Sequence, residues 1–419
     1  MKRFFYIQKH LTTPIFLIHL SLVLSVVYPF SIPMLKILQN LHVISQLPKI
    51  ENIYTLLAAA IAYTTAILIV PKSAKIYRIP SLTALFLGFI YIISLVRADV
   101  KILSWCFRRY LIYTTGLCLL LSVPASNIRD HSQVTLWVSF LLSLLLLAFL
   151  SFGLHFRAVL LNKLSLLYPL NSLFHPNIMG SLMGIGLLTS VGLINGLKKS
   201  QRYIGILCKV AIFVFTIAFL LTQSRAAWIS FLISLPFLYT ERKKRLISFA
   251  FTASLLIFFL TTIFLLPENL KSYIKFADKF ALSMEYRTRI WKAALAVFSK
   301  HIFLGVGIGG FTLVPERLYN LPYKVSSVHN QYIEFLLETG IIGFTTFFFL
   351  IIATIAKLKN IIKQKNCSSP SIRLIPVAIF IFLLINFFFE SRLKTTQFNV
   401  IFYTTIGIIW NGAQQRDRN

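Results

Sequence analysis

Long apolar runs alternate with short polar segments along the whole chain, and this pattern predicts membrane-spanning helices. One span needs roughly 20 apolar residues, and several runs are short for a bilayer, so we expect about 10 to 13 spans. A set of about twelve is Leu11–Ile32, Ile53–Val70, Ser81–Val96, Tyr110–Val123, Val134–Leu154, Ile178–Ile194, Ile204–Leu221, Ala226–Tyr239, Leu246–Leu266, Gly340–Ala356, Ile375–Phe389 and Asn399–Trp410. The pattern predicts an all-α polytopic membrane protein.

The composition supports this prediction and excludes other classes of protein. Apolar residues make up 57% of the chain and charged residues 13%, against roughly 45–50% and 25% in soluble domains. These values exclude a soluble globular enzyme, a disordered chain and a secreted disulfide scaffold. The basic N-terminal segment and its apolar run lack a small-residue cleavage site, and we interpret them as an uncleaved first helix.

The chain carries a formal net charge of +30, which orients the predicted spans. Lysine and arginine collect in cytoplasmic loops. We place the N-terminus in the cytoplasm and leave the long loop out of the count. Most lysines and arginines then fall on the cytoplasmic side, in segments such as PKSAKIYRI, NGLKKSQRY and ERKKR. We expect no nucleic-acid partner, because the basic residues are dispersed between apolar runs. The outward-facing remainder predicts a surface for anionic membrane lipids.

One basic segment fits this orientation poorly. Residues 97–109, RADVKILSWCFRR, fall on the outer side. They indicate either a misassigned pair of spans or an interfacial segment that meets lipid phosphates.

The spans divide the chain into three predicted regions. Residues 1–266 hold transmembrane helices 1–9, residues 267–339 form a periplasmic loop with amphipathic helices, and residues 340–419 hold helices 10–12 and a cytoplasmic tail. Because backbone groups at membrane depth need hydrogen-bond partners, we expect the long loop to cap the bundle at the outer surface.

Motifs for a metal or a nucleotide are missing from the sequence. There is no DxD, HExxH, CxxC or Walker-type motif, and only Glu334 and Glu338 are closely spaced among the acids. Divalent metals favour clustered carboxylates, so we expect no metal cofactor. Gly305, Gly307 and Gly310 resemble a dinucleotide fingerprint, but they follow a predicted helix rather than a strand, which favours a turn.

Two arginine-containing stretches are candidates for chemistry. Arg225 in TQSRAAW lies between two apolar runs; it either snorkels and pairs locally or binds an anion, for which a guanidinium is well suited. In EYRTRIWKAAL, residues Glu285, Arg289 and Lys292 share one helical face and Arg287 points away. That stretch is either a surface helix with a Glu285–Arg289 pair or a second cationic clamp.

A third stretch, VHNQYIEFLLETGIIG, precedes the predicted tenth span. His329 lies here on the outer side, beside the loop that carries the second arginine stretch. Most isolated histidines are structural or solvated, but a neutral imidazole in this place can act as a general base. Fixed arginines can stabilise the negative charge that grows on a phosphate leaving group, as a metal otherwise does.

At these three stretches the sequence resembles the O-antigen ligase family, within the wider group of O-antigen ligases, O-antigen polymerases and protein O-oligosaccharyltransferases. The family pattern has a TxSR arginine, a second arginine before a Trp-containing helix, and a loop ending in HN-x-Y-x5-E-x-G. The matching segments are TQSR, YRTRIW and HNQYIEFLLETG. The resemblance extends over roughly residues 171–390.

The resemblance implies a GT-C-like helical bundle in the bacterial inner membrane with a periplasmic active site. Such enzymes move a glycan from undecaprenyl pyrophosphate to the lipid A–core oligosaccharide without a metal or other cofactor. By position, Arg225 and Arg289, with Arg287 as the alternative to Arg289, would bind the donor pyrophosphate. His329 would activate the acceptor.

The same resemblance gives supporting roles to three further residues and matches one further segment. Asn330, Glu338 and Glu390 occupy supporting positions in the family pattern. The segment FHPNIMGSLMGIG resembles the family's Asn-containing span start, and we interpret it as close helix packing through small residues.

Other functions remain open at this stage. An O-antigen polymerase shares the donor but uses a second lipid-linked glycan as acceptor, and the features above barely separate it from a ligase. A protein O-glycosyltransferase fits less well. A lipid-linked oligosaccharide flippase is the alternative from another class, although transporters tend to keep ionisable residues near mid-membrane.

Overall fold

The computed structural model describes residues 20, 60, 78–97, 102–125, 130–161, 170, 175–197, 201–239, 241–265, 276–313, 327–363 and 370–417. Within these ranges the secondary structure is helical and includes no strand. The α-helices are α1 (Arg78–Val96), α2 (Leu103–Ala125), α3 (Asp130–Leu160), α4 (Pro176–Gly196), α5 (Arg202–Leu221), α6 (Arg225–Ser234), α7 (Arg242–Leu265), α8 (Phe276–Phe298), α9 (Gln331–Lys363), α10 (Pro370–Phe389) and α11 (Thr396–Asp417). Short 3₁₀ turns follow at Leu235–Leu238 and Gly310–Leu313.

Six of these helices are long and apolar enough to cross a membrane. They contain Ile79–Val96, Ser132–Arg157, Pro176–Gly196, Arg202–Leu221, Gln331–Leu358 and Ser371–Phe389. The predicted all-α membrane architecture is therefore confirmed in its class, whereas the count of about twelve spans is not. The predicted spans Leu11–Ile32 and Ile53–Val70 lie outside the described residues except at positions 20 and 60.

The packing brings the ends of four helices to one place. Helix α4 packs against α5 and α10, and α6 packs against α4 and α10. The first turns of α4, α6 and α9 and the last turn of α10 therefore lie together, as the contacts among their terminal residues show. This end of the bundle carries the polar side chains described below.

Close approach of α4 to the α5–α6 turn depends on a glycine. A Cβ built on Gly180 would lie 2.6 Å from the Ser224 Cβ and 2.8 Å from the Thr222 Oγ1. Contacts this short are excluded for any other residue unless the backbone moves. The interpretation of the FHPNIMGSLMGIG segment as a tightly packed small-residue stretch agrees with this geometry.

Helix α9 breaks at Gly340, and a preceding loop fills the break. Gly340 has φ 67°, and a Cβ there would lie 2.2 Å from the Phe303 carbonyl oxygen. The amides of Ile341 and Val306 donate to Ile302 and Leu337 at 2.8 Å each. The stretch with Gly305, Gly307 and Gly310, which we call the docking loop, thus supplies hydrogen-bond partners for the backbone groups that the kink leaves unpaired in the helix.

Candidate functional site

The Glu390 carboxylate is the centre of a polar cluster at the shared helix ends. Glu390 follows the last residue of α10 and is only 5% exposed. Its Oε1 accepts hydrogen bonds from the Asn177 Nδ2 at 2.5 Å and the Arg287 Nη2 at 3.1 Å. Arg287 also donates through Nη1 to the carbonyl of Phe389. Residues from α4, α8 and α10 therefore meet on one carboxylate.

His329 reaches the other oxygen of the same carboxylate. Its Nδ1 lies 3.4 Å from the Glu390 Oε2, and its side chain is 35% exposed. The residue has φ 54°, a left-handed conformation that is uncommon outside glycine. The backbone thus turns sharply just before α9 and leaves the imidazole half-exposed beside Glu390.

Asn330 fixes this turn. Its side-chain oxygen accepts from the amides of Tyr332 and Ile333 at 3.0 and 3.1 Å, which caps α9, as Asn does at many helix starts. Its Nδ2 donates to the Phe388 carbonyl at 3.1 Å, and its amide donates to the Ser391 Oγ at 3.2 Å. Asn330 therefore couples the position of His329 to the end of α10.

Arg392 is a second cation on the Glu390 carboxylate. Its Nη2 lies 3.7 Å from the Glu390 Oε2, and its guanidinium carbon lies 5.4 Å from the centre of the Phe398 ring. The residue is 5% exposed, and neither its Nε nor its Nη2 has a hydrogen-bond partner among the described residues. Two buried donors thus have spare hydrogen-bonding capacity at this site.

Arg225 begins α6 and lies within electrostatic range of Arg287. It follows Gln223, which has φ 52°, and Ser224, which packs on Gly180. The tight turn between α5 and α6 therefore holds this arginine at the same end of the bundle. We call Asn177, Arg287, His329, Glu390 and Arg392 the Glu390 cluster, with Arg225 as its neighbouring cation.

The charges around Glu390 keep its carboxylate ionised. Burial alone would raise the pKa of Glu390, but the charges of Arg392 and Arg287 and the hydrogen bond with His329 lower it well below its usual value. Three arginines and one glutamate leave two net positive charges here. Such a surplus favours an anionic ligand.

The two arginines of the YRTRIW stretch have different environments. Arg287 binds Glu390, whereas Arg289 pairs with Glu285 at 2.6 Å and is 55% exposed. They are two residues apart on α8, so they face opposite sides of the helix. Arg289 therefore forms the surface ion pair that the sequence offered as one interpretation. Arg287, which points away from it, is the arginine that contacts Glu390.

A second polar group, the Glu338 network, lies beside the first. Arg109 of α2 forms ion pairs with Glu338 and with Glu334, the latter at 3.1 Å. The Tyr113 hydroxyl donates to Glu338 at 3.1 Å, and Lys394 contacts Glu334 at 3.2 Å. The amide of Gly309 donates to Glu338 at 2.8 Å.

This network explains one residue, Arg109, of the basic segment that fitted the orientation poorly. Arg109 is 4% exposed and pairs with acids of the HN-x-Y-x5-E-x-G stretch, so it meets protein carboxylates rather than lipid phosphates. Glu338 is thus a buried carboxylate that holds the docking loop, through Gly309, and α2, through Arg109 and Tyr113. It is not a member of the Glu390 cluster.

Sequence reasoning missed Arg392, Asn177 and His175 as members of the site. His175 caps α4 by accepting the Asn177 amide at 3.3 Å. A usable signal was the spacing in ESRLK, where Glu390, Arg392 and Lys394 follow an apolar span at every second position. No group of three or more His, Cys, Asp or Glu side chains in the described ranges is arranged to hold a metal ion.

The comparison with protein families agrees with this geometry. Residues 210–348 match a family model described as O-Antigen ligase, a range that contains Arg225, Arg287 and His329 but ends before Glu390. No curated protein matches the chain.

Proposed function

We propose that this chain, whose residues 210–348 match a family model described as O-Antigen ligase, is an O-antigen ligase. It would transfer a glycan from undecaprenyl pyrophosphate to the lipid A–core oligosaccharide at the periplasmic face of the inner membrane. The family match and the six long apolar helices support the broader proposal of a membrane enzyme of the ligase and polymerase group.

The observation that carries this proposal is the convergence of Arg287, Arg392 and His329 on Glu390, with Arg225 in electrostatic range of Arg287. A lipid-linked glycan diphosphate carries two negative charges. These balance the two net positive charges of Arg225, Arg287, Arg392 and Glu390. A guanidinium donates parallel hydrogen bonds to phosphate oxygens. The cluster is therefore matched in charge and in donor type to a diphosphate.

The orientation follows from the opposite end of the bundle. Helix α5 begins at Arg202, α7 begins with the basic run 242–245, and α9 ends at Lys363. These residues lie one helix length from the Glu390 cluster. By the positive-inside rule, this distribution supports our proposal that the basic end lies in the cytoplasm and the cluster at the periplasmic face.

The geometry supports a single displacement. The carboxylate of Glu390 holds the proton of His329 on Nδ1, which leaves Nε2 to take the proton of the acceptor hydroxyl. The hydroxyl oxygen forms a bond to the anomeric carbon as that carbon's bond to the diphosphate oxygen breaks. The electron pair leaves with the diphosphate, where the arginines stabilise the new charge.

The test is complementation of a strain that lacks this gene. Arg225→Ala and His329→Ala should each lower the amount of long-chain lipopolysaccharide in the ladder by about 10²-fold or more, because each substitution removes a group that acts on the reacting atoms. The exposed Arg289→Ala variant is the matched control and should restore the ladder. Membrane levels of all three proteins should equal the wild type, and normal ladders in the first two variants would falsify the enzymatic assignment.

The same gel separates the ligase from the polymerase. In the deletion strain, loss of all long chains with polymer retained on the lipid carrier supports the ligase. Core oligosaccharide with a single repeat unit would assign the polymerase reaction instead.

A further inference from the structure

His175 has a fixed tautomer. Its Nδ1 accepts the backbone N–H of Asn177 at 3.3 Å, so this nitrogen carries no proton. A neutral imidazole has one N–H, and the proton must then be on Nε2. His175 therefore presents a hydrogen-bond donor on the side of the ring that faces away from α4.

The surroundings of His175 belong to the Glu390 cluster. Asn177, two residues further on, donates its side chain to Glu390 at 2.5 Å. Glu390 and Arg392 both act electrostatically on His175. Burial first, and then the charge of Arg392, lower the pKa of His175 despite the opposing effect of Glu390, so the ring is neutral at pH 7.

His329 has the opposite tautomer. Its Nδ1 faces a carboxylate oxygen at 3.4 Å, and an ionised carboxylate can only accept. The proton is on Nδ1, and Nε2 has a free lone pair. Two histidines near one carboxylate thus offer complementary groups, an acceptor on His329 and a donor on His175.

We propose that His175 is a second substrate-contacting histidine, which donates a hydrogen bond from Nε2 to a diphosphate oxygen of the lipid-linked donor. Arg392 and Arg287 attract the anionic diphosphate, and the neutral His175 adds one hydrogen bond to it. His175 transfers no proton: the hydroxyl proton goes to His329 and the electron pair goes to the diphosphate. This inference rests on the proposed function.

A purely structural role for His175 is the competing explanation, because it caps α4. Two substitutions separate the two roles. Asn is among the best N-cap residues and Gln is not, so His175→Asn keeps the cap and lacks the distal donor. His175→Gln weakens the cap and places an amide N–H near the position of the histidine Nε2.

The experiment measures kcat/KM for glycan transfer by purified full-length protein, with an undecaprenyl-pyrophosphate-linked glycan and lipid A–core acceptor. We expect His175→Asn to lower kcat/KM by about 10- to 100-fold, the effect of one lost hydrogen bond to a charged group. His175→Gln should remain within about 3-fold of the wild type. The exposed His301→Asn variant is the control and should be unchanged.

The outcomes are decisive in both directions. Loss with Gln and retention with Asn would assign the cap alone and overturn the proposal, as would full activity in both. Loss in both, with melting temperatures in detergent equal to the wild type, supports a substrate contact that requires the imidazole itself. A His329→Ala variant that stays active would overturn the proposed function; an inactive one with an unaffected His175→Asn would overturn only this inference.

Discussion

The Glu390 cluster and the Glu338 network lie side by side, and both are built on buried carboxylates, yet they differ in charge balance. In the network, Glu334 and Glu338 are matched by Arg109 and Lys394, and backbone amides of Val328 and Gly309 complete their hydrogen bonds. In the cluster, a single carboxylate faces two arginines directly and a third nearby. The buried donors of Arg392 are also unfilled.

This difference separates a structural role from a functional one. A balanced, closed network gains nothing from a further ion, because every charge already has its partner. A cluster with surplus positive charge and a half-exposed histidine is ready for an anion. The comparison leads to four predictions, from the largest expected effect to the smallest.

Removing the central cation of the network should have the largest effect. Arg109→Met leaves Glu334 and Glu338 with one counter-charge, and breaking a buried ion pair costs about 3–5 kcal/mol. We expect strongly reduced membrane levels and a lower melting temperature. The exposed Arg97→Met variant is the control, and Arg109→Met combined with Glu338→Gln should recover part of the loss.

Removing Arg287 should instead affect activity and leave the protein folded. We expect Arg287→Ala to lower kcat/KM by about 10²-fold, because a cation that stabilises the leaving group is lost. Arg289→Ala, two residues away on the other face of α8, should stay within about 2-fold, as exposed ion pairs contribute little. Equal losses in the two variants would contradict the assignment of Arg287 to the site.

Arg392 should show an intermediate effect that depends on its charge. Arg392→Met should raise the KM for the lipid-linked donor by about 10-fold, since one charge-assisted contact is lost. Arg392→Lys keeps the charge and should recover part of the affinity. If the two variants bind the donor equally well, the spare donors of Arg392 do not serve the anion.

The smallest effect should appear as a pH dependence of stability. The pKa of Glu390 is lowered in the folded protein, so its ionised form stabilises the fold above the ordinary carboxyl pKa. This contribution should fall by about 1.4 kcal/mol per pH unit as the pH drops below that value. Melting in detergent between pH 6 and 3 should therefore show a steeper acid decline for the wild type than for Glu390→Gln.

The sequence predicted several of the helices and the chain-local motifs well. The apolar runs predicted the positions of α1, α4, α5 and α10 to within a few residues, because the spacing of apolar residues can be read from the sequence alone. The TQSR and HNQY stretches also located Arg225 and His329 at one end of the bundle. Glu390 was placed with them by family resemblance.

The remaining parts of the site depend on tertiary packing. Arg287 and Arg289 are equivalent in sequence, and only the face of α8 that meets α10 decides between them. Arg109 and Glu338 are 229 positions apart, so no local pattern joins them. The same holds for Asn177, whose side chain reaches Glu390 across 213 positions.

The left-handed backbone at His329 has a consequence for how the reaction could be trapped. A branched or bulky residue is disfavoured at φ 54°, and strain of this kind costs about 1–2 kcal/mol. Asn and Gly adopt this conformation readily, so His329→Asn should be at least as thermostable as the wild type while lacking the base. Such a protein would hold the lipid-linked donor without consuming it, a stable dead-end complex in which the path of the glycan can be seen directly.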